Sequence, residues 1–140
     1  MKNLRSILFS LTVLLLATAA QAQQTNVKAN VPFDFVAGNQ AYPAGEYSLK
    51  SLSESGIPVL IRNDQETSQG LAITNACTSA KISDTTKLVF HQVAGRYFLH
   101  QVWTSGKAEG RQFRISKAEV LLAQSQPKAE LVIVAANITH

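Results

Sequence analysis

The chain carries one cysteine, Cys77, in 140 residues, which excludes any disulfide within it. Its stability must therefore come from packing. Charge is sparse too: 16% of the residues are charged, and 13 basic against 9 acidic side chains leave a formal net charge of +4. The densest basic stretch, Lys107, Arg111, Arg114 and Lys117, is interrupted by Glu109 and Glu119. It reads as a solvated surface, and nucleic acid is not an expected partner. The sequence has no Gly-x-Ser-x-Gly elbow, no nucleotide-binding motif and no internal repeat. No apolar run reaches the roughly 20 residues that a membrane-crossing helix requires.

The longest apolar run lies at the start. Lys2 and Arg5 precede Ile7 to Leu16, which is apolar apart from Ser10 and Thr12, and Ala20-Gln21-Ala22 follows with small residues where a signal peptidase needs them. Residues 1–22 are therefore expected to be a signal peptide, cleaved before Gln23, with Ala17-Thr18-Ala19 as the alternative site. No cysteine near the cleavage point can take a lipid, so no stable membrane anchor is expected after cleavage. Of the 140 residues 118 would remain, and the charge would fall from +4 to +2 with Lys2 and Arg5 gone. The remainder suits one small domain, exported to the periplasm or the extracellular space.

In that remainder the dominant pattern is alternation. Val27, Ala29, Val31, Phe33 and Phe35 recur at period two, with Pro32 marking an edge or a bulge because it has no N–H for a ladder. Turn residues at Gly38-Asn39 and Pro43-Ala44-Gly45 precede a second strand with Tyr47 and Leu49. Pro58 to Arg62, Leu71 to Thr78, Thr86 to Val93 and Arg96 to Thr104 predict four more. Period-two counting places Cys77 on one inward face with Leu71 and Ile73. The hairpin around Ala94-Gly95 is the best-defined unit, with a loop of either two or three residues. Ser116 to Glu119 reads as a capping box, flanked by Ile115 and Val120 as a hydrophobic staple, opening a helix from about Lys117 to Gln124 that buries Ala118, Leu121 and Leu122. Pro127 is placed to stop it. Ala129 to Ala136, apolar on both faces, predicts a last strand covered on both sides.

Candidate chemistry is thin. In a two-residue loop His91 and His100 share one face of the hairpin; a three-residue loop separates them. Two imidazoles alone fall short of a zinc site, so no metal is expected, and no cofactor. Asp34 and Glu46 can approach one another across adjacent strands, the arrangement a glycosidase would need. Surface carboxylates are the plainer reading. Ser125-Gln126-Pro127-Lys128 matches Ser-x-x-Lys by chance, without supporting motifs, and Asn137-Ile138-Thr139 is a formal glycosylation sequon near the end. Tyr47 and Trp103 fall on expected inward faces, whereas Tyr42 precedes a turn, and an aromatic on a loop rim can stack on a sugar ring or a partner; core packing is the plainer reading. Candidate binding residues are thus Tyr42, His91, His100, Arg111 and Arg114, and no residue is assigned as catalytic.

Three segments stand together in a recognisable order: Val31-Pro32-Phe33-Asp34-Phe35-Val36-Ala37-Gly38-Asn39, then Pro43-Ala44-Gly45-Glu46-Tyr47, then Lys87-Leu88-Val89-Phe90-His91 through Arg96-Tyr97-Phe98-Leu99, with Ser116 to Glu119 after them. Over roughly residues 27 to 123 the chain resembles a family of small exported proteins of unknown function from acidobacterial genomes. It departs at Tyr42, where leucine is usual, and at Val93-Ala94, which replaces a more polar turn. The resemblance implies export and a β domain, and brings no catalytic residue with it.

The expected architecture is all-β and mainly antiparallel: a compact sandwich or partly closed barrel of about seven strands, with one short helix near the C-terminus. Strands this short do not suit a membrane barrel. The expected function is a non-catalytic binding or structural module of the cell envelope or extracellular space, with an envelope polymer or a protein as partner. The alternative is a small secreted hydrolase using Asp34, Glu46 or His91.

Overall fold

The computed structural model describes residues 26–139, with 66 and 127 excepted, so the signal-peptide assignment at 1–22 and the helix stop at Pro127 lie outside the described residues. The chain forms an all-β, mostly antiparallel, nearly closed barrel with one short helix near its C-terminus. The strands are β1 (Asn26–Val31), β2 (Phe35–Ala37), β3 (Gln40–Tyr42), β4 (Gly45–Ser51), β5 (Val59–Asn63), β6 (Gln69–Ala72), β7 (Thr74–Thr78), β8 (Lys87–Val93), β9 (Arg96–Trp103), β10 (Glu109–Phe113) and β11 (Glu130–Thr139); the helix α1 is Lys117–Ser125. These are eleven strands against the expected seven. Two of the extra ones arise where a run breaks, β1 ending at Val31 directly before Pro32 and Ile73 dividing β6 from β7, while β3 and β10 form where no strand was expected.

The order around the sheet is β3-β2-β9-β8-β11-β1-β4-β5-β6, with β10 bridging β9 and β7. β9 shares one edge between two partners. Its first residues pair in parallel with β2, and Gln101 to Trp103 pair with β10. The stretch from β6 to β7 crosses the barrel wall, β6 pairing with β5 and β7 with β10. At the seam between β3 and β6 no backbone bond is formed among the described residues; the Gln40 side chain donates from Nε2 to the Gln69 carbonyl instead, at 3.0 Å.

The interior is filled from alternating positions: Val27, Ala29 and Val31 from β1, Tyr47 and Leu49 from β4, Val59 and Ile61 from β5, Leu88 and Phe90 from β8. At its centre Phe35 stacks on Tyr42 and meets Tyr47 and Phe90 edge-on, with centroids 5.1 to 5.5 Å apart. Two turn contacts hold this cluster: the Ala44 N–H donates to Asp34 Oδ1 at 2.8 Å, and the Tyr47 hydroxyl to the Pro43 carbonyl at 2.6 Å.

Several expected faces are reversed. On β6 and β7 the buried residues are Ala72 and Thr74, while Leu71 and Ile73 are exposed and Cys77 is half-buried on their side. Trp103 alternates with the inward Val102, so it faces out and lies over Gly110 on β10. The last strand is not covered on both sides: Leu131 and Ile133 are 67% and 61% exposed. In α1, Ala118 and Leu122 are half-buried, but Leu121 points to solvent and the buried residue is Glu119. Ile115 and Val120, the expected staple, are both exposed.

Candidate functional site

Two places in the fold gather polar chemistry. The first is on the outer face of the β8–β9 hairpin. Ala94 and Gly95 both have positive φ, at 50° and 76°, the pair of conformations that a type I′ two-residue loop uses, and Val93 pairs with Arg96. Of the two registers open to the sequence, this is the one that brings the histidines together. A register shift between Val89 and Phe90 opposes Phe90 with Leu99 and Val89 with Gln101, leaving His100 as the extra residue of β9. The imidazoles of His91 and His100 stack with centroids 3.8 Å apart and an interplanar angle of 26°.

Helix α1 packs against β8 here. Ser116 caps it, its hydroxyl accepting from the Glu119 N–H at 3.1 Å. The second half of a capping box is missing, because the Glu119 carboxylate accepts from His91 Nδ1 at 2.7 Å rather than reaching back to the helix start. That bond places the hydrogen of His91 on Nδ1 and fixes the ring's orientation. The pKa of His100 is pushed below the ordinary imidazole value, first by burial and then by His91. Val89, Val93 and Phe98 are buried around this cluster but lie apart from the barrel interior, with Arg96 over the Phe98 ring at 5.5 Å. Two stacked rings and a carboxylate engaged with one of them do not converge on a point, and among the described residues no group of three or more His, Cys, Asp or Glu can hold a metal ion. The arrangement fastens a helix to a sheet.

The second place is the end of the barrel where the C-terminal halves of β4 and β9 meet the starts of β5 and β10. A cavity of about 570 Å³ opens there. Its wall is apolar, from Val27, Leu49, Val59 and Val102, and its rim carries Glu54, Lys107, Glu109 and Arg111 with the hydroxyls of Ser51, Ser53 and Thr104. Arg111 sits two residues before the core residue Phe113 and opposite Val102, so β10 turns it inward. Its guanidinium lies against the loop between β4 and β5, where a Cβ on Gly56 would overlap it. Gly56 also has a φ of +75°, and its carbonyl accepts from the buried Thr74 hydroxyl at 3.1 Å, which ties the loop to β7. Among the described residues no carboxylate forms a salt bridge with Arg111.

The candidate residues thus separate. His91 and His100 meet on the outer face; Arg111 enters the cavity; Arg114 is exposed after β10. Tyr42 is not a rim aromatic: it is 2% exposed within the core, and burial pushes its phenol up to about 12. Asp34 is engaged in its turn, and Glu46 is exposed on β4. Alternation in a single strand did not reveal the cavity wall, since its members come from β1, β4, β5 and β9. Glu119 was visible as a cap residue, but its partner lies 28 residues back in sequence.

The fold is a small barrel-like β domain with a cavity at one mouth. No protein-family model, curated protein or solved structure matches the chain.

Proposed function

We propose that this chain is an exported, non-catalytic binding module that admits a small amphipathic ligand at the barrel mouth. The cavity carries the reading. Its volume lies within the ~300–1,000 Å³ of small-molecule sites, and barrel mouths are a common place for them. Apolar walls beneath a polar rim suit a ligand with an oily body and a wet end. Export rests on the basic, apolar and small-residue order of residues 1–22, and membership of the acidobacterial family belongs to the same proposal. The hydrolase alternative is less well supported, because Glu46 and His91 line neither this cavity nor a second one of about 330 Å³, and Asp34, which lines the second, is engaged by the Ala44 N–H in its turn.

The experiment titrates N-phenyl-1-naphthylamine, an uncharged fluorescent amphiphile, into the purified domain and into Val102→Trp, which fills the cavity. Saturable enhancement that the variant loses supports the reading. Absent enhancement, or enhancement indifferent to the variant, removes it. Sequencing the N-terminus of the secreted protein tests export, with Gln23 as the expected first residue.

A further inference from the structure

The charges at the mouth are equal in number but differ in depth. Glu54, Lys107 and Glu109 are exposed, whereas Arg111 is half-buried on an inward strand position beside the apolar wall. A guanidinium held there loses hydration that no salt bridge within the described residues restores. The close fit of Gly56 further fixes where its donors sit. An arginine presents a planar fork of N–H donors that matches a carboxylate on two oxygens, and such pairs are stronger and more directional than a single charge contact.

We infer that the mouth selects an amphipathic carboxylate, its hydrocarbon laid against Val27, Leu49, Val59 and Val102 and its carboxylate on the Arg111 guanidinium. This rests on the reading of the mouth as a ligand site. The rest of the rim sharpens the class. With Arg111 matched to the first negative charge, the remaining rim residues Glu54, Glu109 and Lys107 carry a net charge of −1 and oppose a second, so a carboxylate is favoured over a phosphate monoester. A cavity of 570 Å³ limits the body to a short or medium hydrocarbon rather than a long acyl chain.

Calorimetric titration of the folded domain with decanoate, 1-decanol and decyl phosphate separates the possibilities. Decanoate is expected to bind at least tenfold more tightly than the alcohol, and more tightly than the phosphate. In Arg111→Gln, the advantage of decanoate over decanol should disappear. Equal binding of decanoate and decanol to the native protein overturns the inference and leaves the mouth a site for uncharged amphiphiles. Tighter binding of decyl phosphate overturns it in favour of a dianion. If none of the three binds, the ligand-site reading fails with it. Because the three ligands are compared on the unaltered protein, a failure of the variant to fold does not protect the proposal.

Discussion

Single side chains decide how the helix is held. Glu119 is 8% exposed, and its partner is a histidine on another element rather than the start of its own helix. Replacing it with alanine leaves the His91 Nδ1–H facing a gap, and a hydrogen bond to a charged group is worth about 1.5–3 kcal/mol. Glu119→Ala should destabilise the domain by about that much in urea unfolding, and Ser116→Ala by about 1 kcal/mol through the lost cap. If Glu119→Ala costs no more than a surface substitution, the bond does not hold the helix. His100 adds a pH dependence. Its folded pKa lies below the ordinary value of about 6.5 that the unfolded chain retains, so on acidification the unfolded state takes up a proton first. The contribution of His100 is thus complete above about pH 7 and is lost as pH falls through 6.5 toward the folded pKa. Urea midpoints measured between about pH 7.5 and pH 5.5 should decline, and His100→Gln should decline less steeply. A variant with an unchanged slope would show that the titration belongs elsewhere.

Among the elements, the β8–β9 hairpin is the one whose turn chemistry is not optimal. Ala94 occupies the first positive-φ position, where asparagine is tolerated far better than alanine. Ala94→Asn should therefore stabilise by about 0.5–1 kcal/mol, read as a rise of a few degrees in Tm. A loss of stability would mean the exposed methyl group is making contacts that the turn geometry does not suggest. This hairpin, the alternation of β1 and the span of α1 are legible in the sequence, because each is set by local signals: a glycine turn, period two, a serine cap; the end of β1 at Val31 is not, since the alternation runs on through Pro32 to Phe35. β10 was not legible, since Glu109–Phe113 has one large apolar residue, and Gly110 is needed there because Trp103 lies across it. Period-two counting inverts the inward face of β6 and β7 for a related reason. Thr74 is fully buried because the Gly56 carbonyl accepts its hydroxyl, so a threonine takes the inward position and Ile73 the outward one. Likewise, hydrophobicity on both faces of β11 predicted two covering layers, but the barrel supplies one. For the cavity, sequence gave Arg111 as a candidate but not its surroundings, which four separate strands and a loop assemble.

At the scale of the whole molecule, the barrel has a weak line between β3 and β6. β3 and β6 face each other across a seam bridged by the Gln40 side chain, and Gly70 lets them approach: a Cβ there would overlap the Tyr42 hydroxyl and the Gln40 carboxamide. Gln40 is exposed and can swing away, but Tyr42 is locked between Phe35 and Tyr47. Gly70→Ala should consequently cost about 1–3 kcal/mol by overpacking, despite the small size of the change. The same seam sets the order in which the fold opens. β8, β11, β1 and β4 are each paired on both edges and contribute buried or half-buried side chains to the interior, so their amides can exchange only when the barrel as a whole comes apart. β3 and β6 each have one edge without backbone partners among the described residues, and their separation exposes little beyond Tyr42 and Ala72. Native-state hydrogen exchange should therefore show Gln40–Tyr42 and Gln69–Ala72 exchanging first, with free energies well below that of global unfolding, and the paired amides of β8 and β1 last. Protection at the global value along both sides of the seam would mean that the ring is continuous there, and that a single side-chain bridge closes it as firmly as a ladder.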